Sequence, residues 1–406
     1  MFREMRPFAA KRNMNILFLA LDVNPALLRG DSVHTLELAR FLGARGVGVQ
    51  LVTTPGGGSS LEVGQNVTHH VPRGPGDLSI LQFCRGIVRK TQCDAIYERR
   101  LSPKISFGLS RVLQLPFVIE INGSENEAQL QGIAQPRTVP GFRRWVRRRM
   151  YRRAAKVVAV SALLAERVQE AYGLPGDRLA VVCNGVDTIR FQPLDKSECR
   201  RRSGWEWGSW IIYVGNLVPW QGLDTLVSSM PQVLARVPDA HLAIIGDGML
   251  RQALVRLASD AGVLERTHFI GSVPHTKVSR LICAADLCVA PFARIRNSEI
   301  GLSPLKLYEY LACGRPVVAS DVPGVAETIR ESGAGELVPA GDPSALSSAI
   351  SLLLTDEMKK TQLGSNGRNF AINFCSWDIA ARRIEATIAG AIADFRQSRR
   401  IRRRRS

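Results

Sequence analysis

Two hydrophobic periodicities take turns along most of this chain. Asn15–Leu21 is a near-continuous apolar run, as a parallel strand buried on both faces requires. His34–Arg45 then places Leu36, Leu38, Ala39 and Leu42 on one side of a helix that Gly46 ends. The same alternation predicts strands at Val47–Thr53, Ala95–Tyr97, Pro116–Ile121, Val157–Ser161 and Leu179–Cys183. Helices are predicted at Ile80–Lys90, Ser106–Leu113 and Ala162–Ala171, and turns at Gly56–Gly58 and Asn184–Asp187. Phe191–Ser209, with Pro193 and a mixed polar run, reads as a linker. A second series starts at Trp210–Val214 and continues through strands Leu242–Ile245, His268–Ile270, Leu287–Ala290 and Val317–Ala319, with a short one at Leu337-Val338. Its helices are Asp224–Arg236, Met249–Ala261 and Thr276–Ala284, then the stretch from Ser303 to Pro316. Ala345–Leu354, Met358–Phe374 and Trp377–Arg396 are helical, with a disordered arginine tail expected beyond. Strand–helix alternation of this kind predicts an α/β fold with doubly wound parallel sheets and ligands at the carboxyl ends of strands.

Length divides the picture in two, because 406 residues exceed one ordinary core. The expected units are a basic extension 1–13, a first domain 14–190, a linker 191–209, a second domain 210–375, a final helix 376–395 and a tail 396–406. Met1–Lys11 followed by an apolar run imitates a signal peptide, but Asp22 closes the run without a cleavage pattern, so a first strand is expected. No apolar run approaches the ~20 residues of a membrane span. Eight cysteines without a CxxC pair argue for a reducing cytoplasm and against a zinc or disulfide framework.

Charge adds a local feature. The net charge is +18, and two segments with seven arginines each carry most of it; without them it would be +4. In the first segment Phe142, Trp145, Val146 and Met150 form an apolar stripe beside Arg143, Arg144, Arg147 and Arg148. Such a helix can lie in an anionic membrane interface with Trp145 at headgroup depth, or pack its stripe on its own domain. A nucleic-acid footprint ranks third, since aromatic interleaving is sparse.

Candidate chemistry centres on the helix opened by Ser303. Ser303 is expected to accept a hydrogen bond from the first turn, Pro304 to occupy the first helical position and Gly314 to form the left-handed exit. Lys306 and Glu309, three apart, project on one side. The helix N-terminus suits a phosphate, and a carboxylate one turn in suits a ribose diol. A well-capped core helix is the alternative.

Several blocks together resemble the family 4 glycosyltransferases: Val158–Ser161, Asn184–Asp187 with Phe191 and Pro193, Gly246–Gly248, Ala285–Pro291 and Leu307–Val318. The resemblance implies the GT-B fold, two Rossmann-like doubly wound domains facing across a cleft, with the final helix crossing back to the first domain. It implies transfer of a sugar from a nucleotide-sugar donor to an acceptor with retained configuration; the arginine-rich helix adds the expectation of a glycan or lipid-linked acceptor at the inner face of the cytoplasmic membrane. Glu309 matches the family's ribose-binding glutamate. The family's first glutamate, eight residues earlier, is Gly301 here, and its diphosphate-binding arginine and lysine are Asn216 and Gln221. Lys306 is therefore the expected substitute cation, with Arg294 and Arg296 in reserve. Ser303, Leu305, Gly215, Asn216 and Gly246 complete the donor side, with Gly30 facing the diphosphate from the first domain. Asn122 stands where the family often has a histidine. Asn122 and Glu120 join Lys306 as catalytic candidates, Glu120 equally readable as a buried carboxylate paired with an arginine. His34 is expected to pack or cap. No cofactor or metal is expected, since cationic side chains can take a metal's place. An epimerase of the same fold and a non-catalytic sugar-nucleotide-binding relative are the rival readings.

Overall fold

The computed structural model describes residues 14–27, 30–54, 61–74, 76–123, 141–205 and 207–403. The extension 1–13, Gly56–Gly58, Ser124–Glu127 and the last three residues of the tail lie outside these, as do the side chains of Arg143 and Arg296. The first half contains β1 Asn15–Ala20, α1 Gly30–Ala44, β2 Gly48–Thr53, β3 Val67–His70, α2 Asp77–Thr91, β4 Ala95–Arg99, α3 Lys104–Leu113, β5 Phe117–Ile121, α4 Gly141–Tyr151, β6 Lys156–Ala159, α5 Ala162–Tyr172 and β7 Leu179–Val181. The second contains α6 Lys196–Ser203, β8 Ser209–Val214, α7 Leu223–Arg236, β9 Ala240–Ile245, α8 Arg251–Asp260, β10 Thr267–Gly271, α9 His275–Ala284, β11 Leu287–Ala290, α10 Arg294–Ile300, α11 Leu305–Ala312, β12 Val317–Ser320, α12 Val325–Ser332, β13 Gly335–Val338, α13 Pro343–Thr355, α14 Glu357–Phe374 and α15 Trp377–Arg403.

The strands form two parallel sheets, ordered β3-β2-β1-β4-β5-β6-β7 and β10-β9-β8-β11-β12-β13. In each, the first strand pairs with neighbours on both sides, β1 with β2 and β4, β8 with β9 and β11. The strand order reverses there, which opens a crevice at the carboxyl ends. Buried apolar residues cover both faces of each sheet, which is why the strands read as unbroken apolar runs. The final helix belongs to the first half's core through Trp377, Ala381, Ile384, Ile388 and Ala391. Arg45, just after α1, clamps it, 2.8 Å from Glu385 and 3.1 Å from Asp378.

Several elements depart from expectation. The linker contains α6, capped by Asp195, and packs Phe191, Cys199 and Trp205 into the second core. The arginine tail continues α15 to Arg403. Arginine is a good helix former, and neither Gly nor Pro follows Gly390 to stop the helix. The loop holding Arg294 and Arg296 is the short helix α10.

Candidate active site

The two carboxyl-end crevices face each other across a cavity of about 340 Å³. From the second half, α11 enters it with its N-terminus. Leu307, Tyr310 and Leu311 bury its other side in the second core, and the Tyr310 hydroxyl accepts the Val214 N–H at 2.8 Å, fixing α11 to the end of β8. Lys306 therefore reaches back over the ring of Tyr213, 3.8 Å from its centroid, and donates to Gln221 Oε1 at 2.7 Å. Among the described residues no carboxylate lies within ion-pair distance of it. Burial holds this ammonium well below the usual lysine range, and the more distant Glu309 charge offsets only part of that. Gly215 leaves it room: a Cβ there would stand 2.5 Å from Lys306 Nζ, and φ is +147°. Gln221, in the position of the family's lysine, thus holds an ammonium delivered by another element.

Ser303 does not cap α11. Its Oγ accepts the Asn184 N–H at 2.7 Å and lies 3.1 Å from the Tyr308 hydroxyl, so the oxygen is spent on joining the halves. Pro304 is the N-cap residue rather than the first helical one. Glu309 Oε1 lies 2.7 Å from His275 Nε2. His275 Nδ1 faces an Arg190 N–H at 3.4 Å, and since arginine only donates, the ring proton belongs on Nε2, directed at Glu309. Arg190 is itself 2.7 Å from Glu37 on α1, so Glu309 is linked to the first half by a chain of polar contacts.

The first half contributes Gly30 and Asp31 at the start of α1, with His34, Arg99, Asn122 and Asn184. Asn184 Nδ2 donates to the Ser303 carbonyl at 2.5 Å, which leaves Oδ1 to accept from His34 Nδ1 at 2.7 Å. On its other side His34 Nε2 lies 2.7 Å from Glu120 Oε1, so the ring bridges Asn184 and the buried carboxylate. Glu120 also accepts from the Tyr97 hydroxyl and lies 3.6 Å from Arg99 Nε. Burial alone would raise its pKa, but His34, Arg99 and the Tyr97 hydroxyl together bring it down to about 2.

Glu120 is the correction among the catalytic candidates. It is 1% exposed and stands behind the cavity wall, holding His34 and Arg99, which line the cavity. Lys306, Glu309, Ser303, Leu305, Gly215, Asn216, Gly246, Gly30 and Asn122 all line it. Arg296 lies on α10, and its side chain is outside the described residues. Asn122 Oδ1 is buried with no hydrogen-bond partner among the described residues. Arg99 and His275 are site residues that sequence reasoning passed over, while His34, expected to pack or cap, and Asn184, expected only in a turn, also line the cavity. Among the described residues no cluster of three or more His, Cys, Asp or Glu side chains is placed to hold a metal ion.

Comparison with known proteins then fits this geometry. Residues 28–190 match the family model described as Glycosyltransferase Family 4, and residues 208–356 match Glycosyl transferases group 1. The chain belongs to this glycosyltransferase family. It is 32% identical over 247 residues to a GDP-mannose-dependent alpha-(1-6)-phosphatidylinositol monomannoside mannosyltransferase of Mycolicibacterium smegmatis, covering 60% of this chain and 64% of the relative. It is 30% identical to a D-inositol 3-phosphate glycosyltransferase of Nocardia farcinica, over 61% of this chain and 55% of the relative. The matched part is thus less than two thirds of the length of these curated relatives. Among solved structures, sucrose-phosphate synthase from Thermosynechococcus elongatus superposes with a TM-score of 0.78 at 20% identity over 94% of this chain and all of that one. WaaG, a glycosyltransferase involved in lipopolysaccharide biosynthesis, gives 0.67 at 17% identity, over 92% of this chain and 98% of that one. These likenesses establish the GT-B fold.

Within the family, Gly301 is more than a missing glutamate. Its φ is +64°, and a Cβ there would meet Ser161 Oγ at 3.1 Å, an atom that donates to the Ile300 carbonyl at 2.7 Å. Gly301→Glu should therefore lower stability by roughly 1–3 kcal/mol in urea unfolding, through backbone strain, and should not improve donor use. A gain in donor affinity would show that the position still accepts the family's side chain.

Proposed function

We propose that this protein moves a sugar from a nucleotide-sugar to a hydroxyl acceptor with retained configuration. The observation that carries the reading is Lys306, a buried ammonium at a helix N-terminus whose hydrogen-bond partner is a neutral amide. A diphosphate between Lys306 and the start of α1 would meet a full positive charge and free backbone N–H groups. Arg99 supplies a second cation from the opposite wall. As the bond from the anomeric carbon to the diphosphate oxygen breaks, these groups stabilise the charge that gathers on the leaving group. The acceptor hydroxyl enters on the same face and passes its proton to the departing phosphate oxygen. Asn122 then orients that hydroxyl through its unpartnered Oδ1. Glu309, held by His275, takes the ribose diol.

The names of the relatives supply the finer reading. Two of them use GDP-mannose and act on phosphatidylinositol mannosides, so a nucleotide-hexose donor and a lipid-linked or phosphorylated polyol acceptor are proposed here. Helix α4 supports work at a membrane surface. Its stripe divides: Met150 is buried, whereas Phe142 and Trp145 are 73% and 57% exposed and stack with centroids 6.1 Å apart. Arg149 lies over the Trp145 ring, 5.8 Å from its centroid, and Arg144 and Arg148 are exposed on the same helix, a composition suited to an anionic interface. Among the described residues no helix is long and apolar enough to cross a membrane.

A donor panel tests the reading. GDP-mannose or another nucleotide-sugar at ~100 times Kd should stabilise the native state by about 2.7 kcal/mol, readable as a rise in melting temperature. Glu309→Ala should weaken that donor about tenfold or more, the loss of a hydrogen bond to a charged group. Product formation with a matching acceptor completes the test. A panel without any shift, or a shift indifferent to Glu309→Ala, would remove the basis for the assignment.

A further inference from the structure

A second cavity, of about 560 Å³, opens at the amino ends of β5 and β6, the edge of the first sheet opposite the donor cleft. Phe107 and Phe117, edge to face at 6.5 Å, give it an apolar wall. The rest is basic. Arg111 comes from α3, Arg152 and Arg153 follow α4, Lys156 begins β6, Arg178 precedes β7 and Arg399 reaches in from the last turns of α15. Two carboxylates, Asp177 and Asp394, oppose six cations. Asp394 is engaged by Lys156 at 3.7 Å, a contact that also seats the end of α15 on the sheet. Arg178 is fixed by donating to the Arg152 carbonyl at 2.7 Å. Among the described residues, none of the five arginines has a carboxylate within ion-pair distance. Unpaired cations around one concavity repel one another, and an anion that enters it relieves that repulsion.

We propose that this cavity binds a phosphate-bearing headgroup, drawn from a lipid of an anionic bilayer. Its volume suits a small phosphorylated polyol. A neighbouring depression of about 430 Å³, lined by Trp145, Arg148 and Arg149, shares Arg152 and Arg153 with it. The headgroup site therefore continues directly into the exposed Phe142–Trp145 pair, whose stacked rings suit the interfacial depth of the same bilayer. Occupancy would anchor the first half through its amino edge and pin the end of α15. The inference does not depend on the chemistry of the donor cleft, which lies across the sheet, and takes only the membrane-facing role of α4 from the reading above.

The test uses the full chain with vesicles of phosphatidylcholine, alone or mixed with phosphatidic acid, and with soluble glycerol 3-phosphate. Arg111→Glu/Arg399→Glu reverses two exposed charges in the cavity, Arg236→Glu/Arg256→Glu is a charge-matched change on the second half, and Trp145→Ala removes the aromatic contact. The donor-induced melting shift should persist in the cavity variant, reporting an intact fold, and Arg111→Gln/Arg399→Gln serves if it does not. We expect partitioning onto phosphatidic-acid vesicles to fall about tenfold or more in the cavity variant and much less in the charge-matched one, because basic residues near such a surface add to its binding. A melting shift with glycerol 3-phosphate that the cavity variant loses would place the phosphate in the same cavity from a soluble source. Equal losses in the two charge-reversed proteins, or a cavity variant that partitions like the parent while only Trp145→Ala fails, would overturn the proposal.

Discussion

Replacing Lys306 by alanine should reduce product formation about a thousandfold while leaving the fold intact. Preorganised charge aimed at a leaving group is worth roughly 3–4 kcal/mol when one donor is removed, and Lys306 is the cation of α11 placed for that role. Stability should not suffer, because the ammonium is buried against Tyr213 and Gln221 without a counter-charge, and burial disfavours its charged form. Lys306→Arg should not restore activity: the space beside Gly215 admits a single ammonium, and a guanidinium fork is wider. The pH dependence has two opposite limbs. The folded-state pKa lies below the unfolded one, so the unfolded chain binds more protons between the two values and the free protein gains stability as pH rises through that window. Donor binding needs the charged form, so donor affinity is full below the lowered pKa and declines as pH rises through it. Titration calorimetry in buffers of different ionisation enthalpy should therefore show proton uptake on donor binding, and Lys306→Ala should abolish it. Turnover by Lys306→Ala within a few-fold of the parent would sink the mechanism.

The parts of this site readable in the sequence are those encoded locally. Lys306 and Glu309 share one helix, so their spacing places them together whatever the tertiary structure does. The central strands announced themselves because both faces are buried, as at Ile16–Ala20 and Ile211–Tyr213. Val67–His70 did not, since an edge strand carrying Thr68, His69 and His70 has no apolar run to show. Helix α6, Lys196–Ser203, offers one buried residue, Cys199, and its charges pair within the helix or with Asp286. The remaining site residues are joined only by folding. His34 meets Asn184 across 150 residues of chain, and His275 reaches Glu309 across 34. Gln221 read as the loss of a lysine. It became intelligible as the seat of Lys306 once the loop after β8 and the start of α11 stood side by side.

Glu120→Ala should cost on the order of 3–5 kcal/mol of stability, the usual penalty for removing one partner of a buried charge cluster. The carboxylate touches His34 at 2.7 Å and Arg99 at 3.6 Å and accepts from Tyr97, all with almost no solvent. Alanine would leave a buried hydroxyl without its acceptor and Arg99 without its counter-charge. Glu120→Gln keeps an acceptor for Tyr97 and removes only the charge, so its loss should be smaller. The acid limb separates the charge contribution from packing. With its pKa at about 2, below the ordinary glutamate value, Glu120 contributes stability that is present above the unfolded pKa of ~4.3 and is lost as pH falls through about 2. The gap in urea stability between the parent and Glu120→Gln should thus hold constant near neutrality and narrow only as the pH drops below ~4. Because Arg99 and His34 line the donor cavity, the same variant should lower turnover even where it is folded, and its effect on donor affinity should track the repositioning of those two side chains. A urea midpoint for Glu120→Ala equal to the parent's would mean that the cluster holds together without its carboxylate. Glu120 would then not be a structural residue.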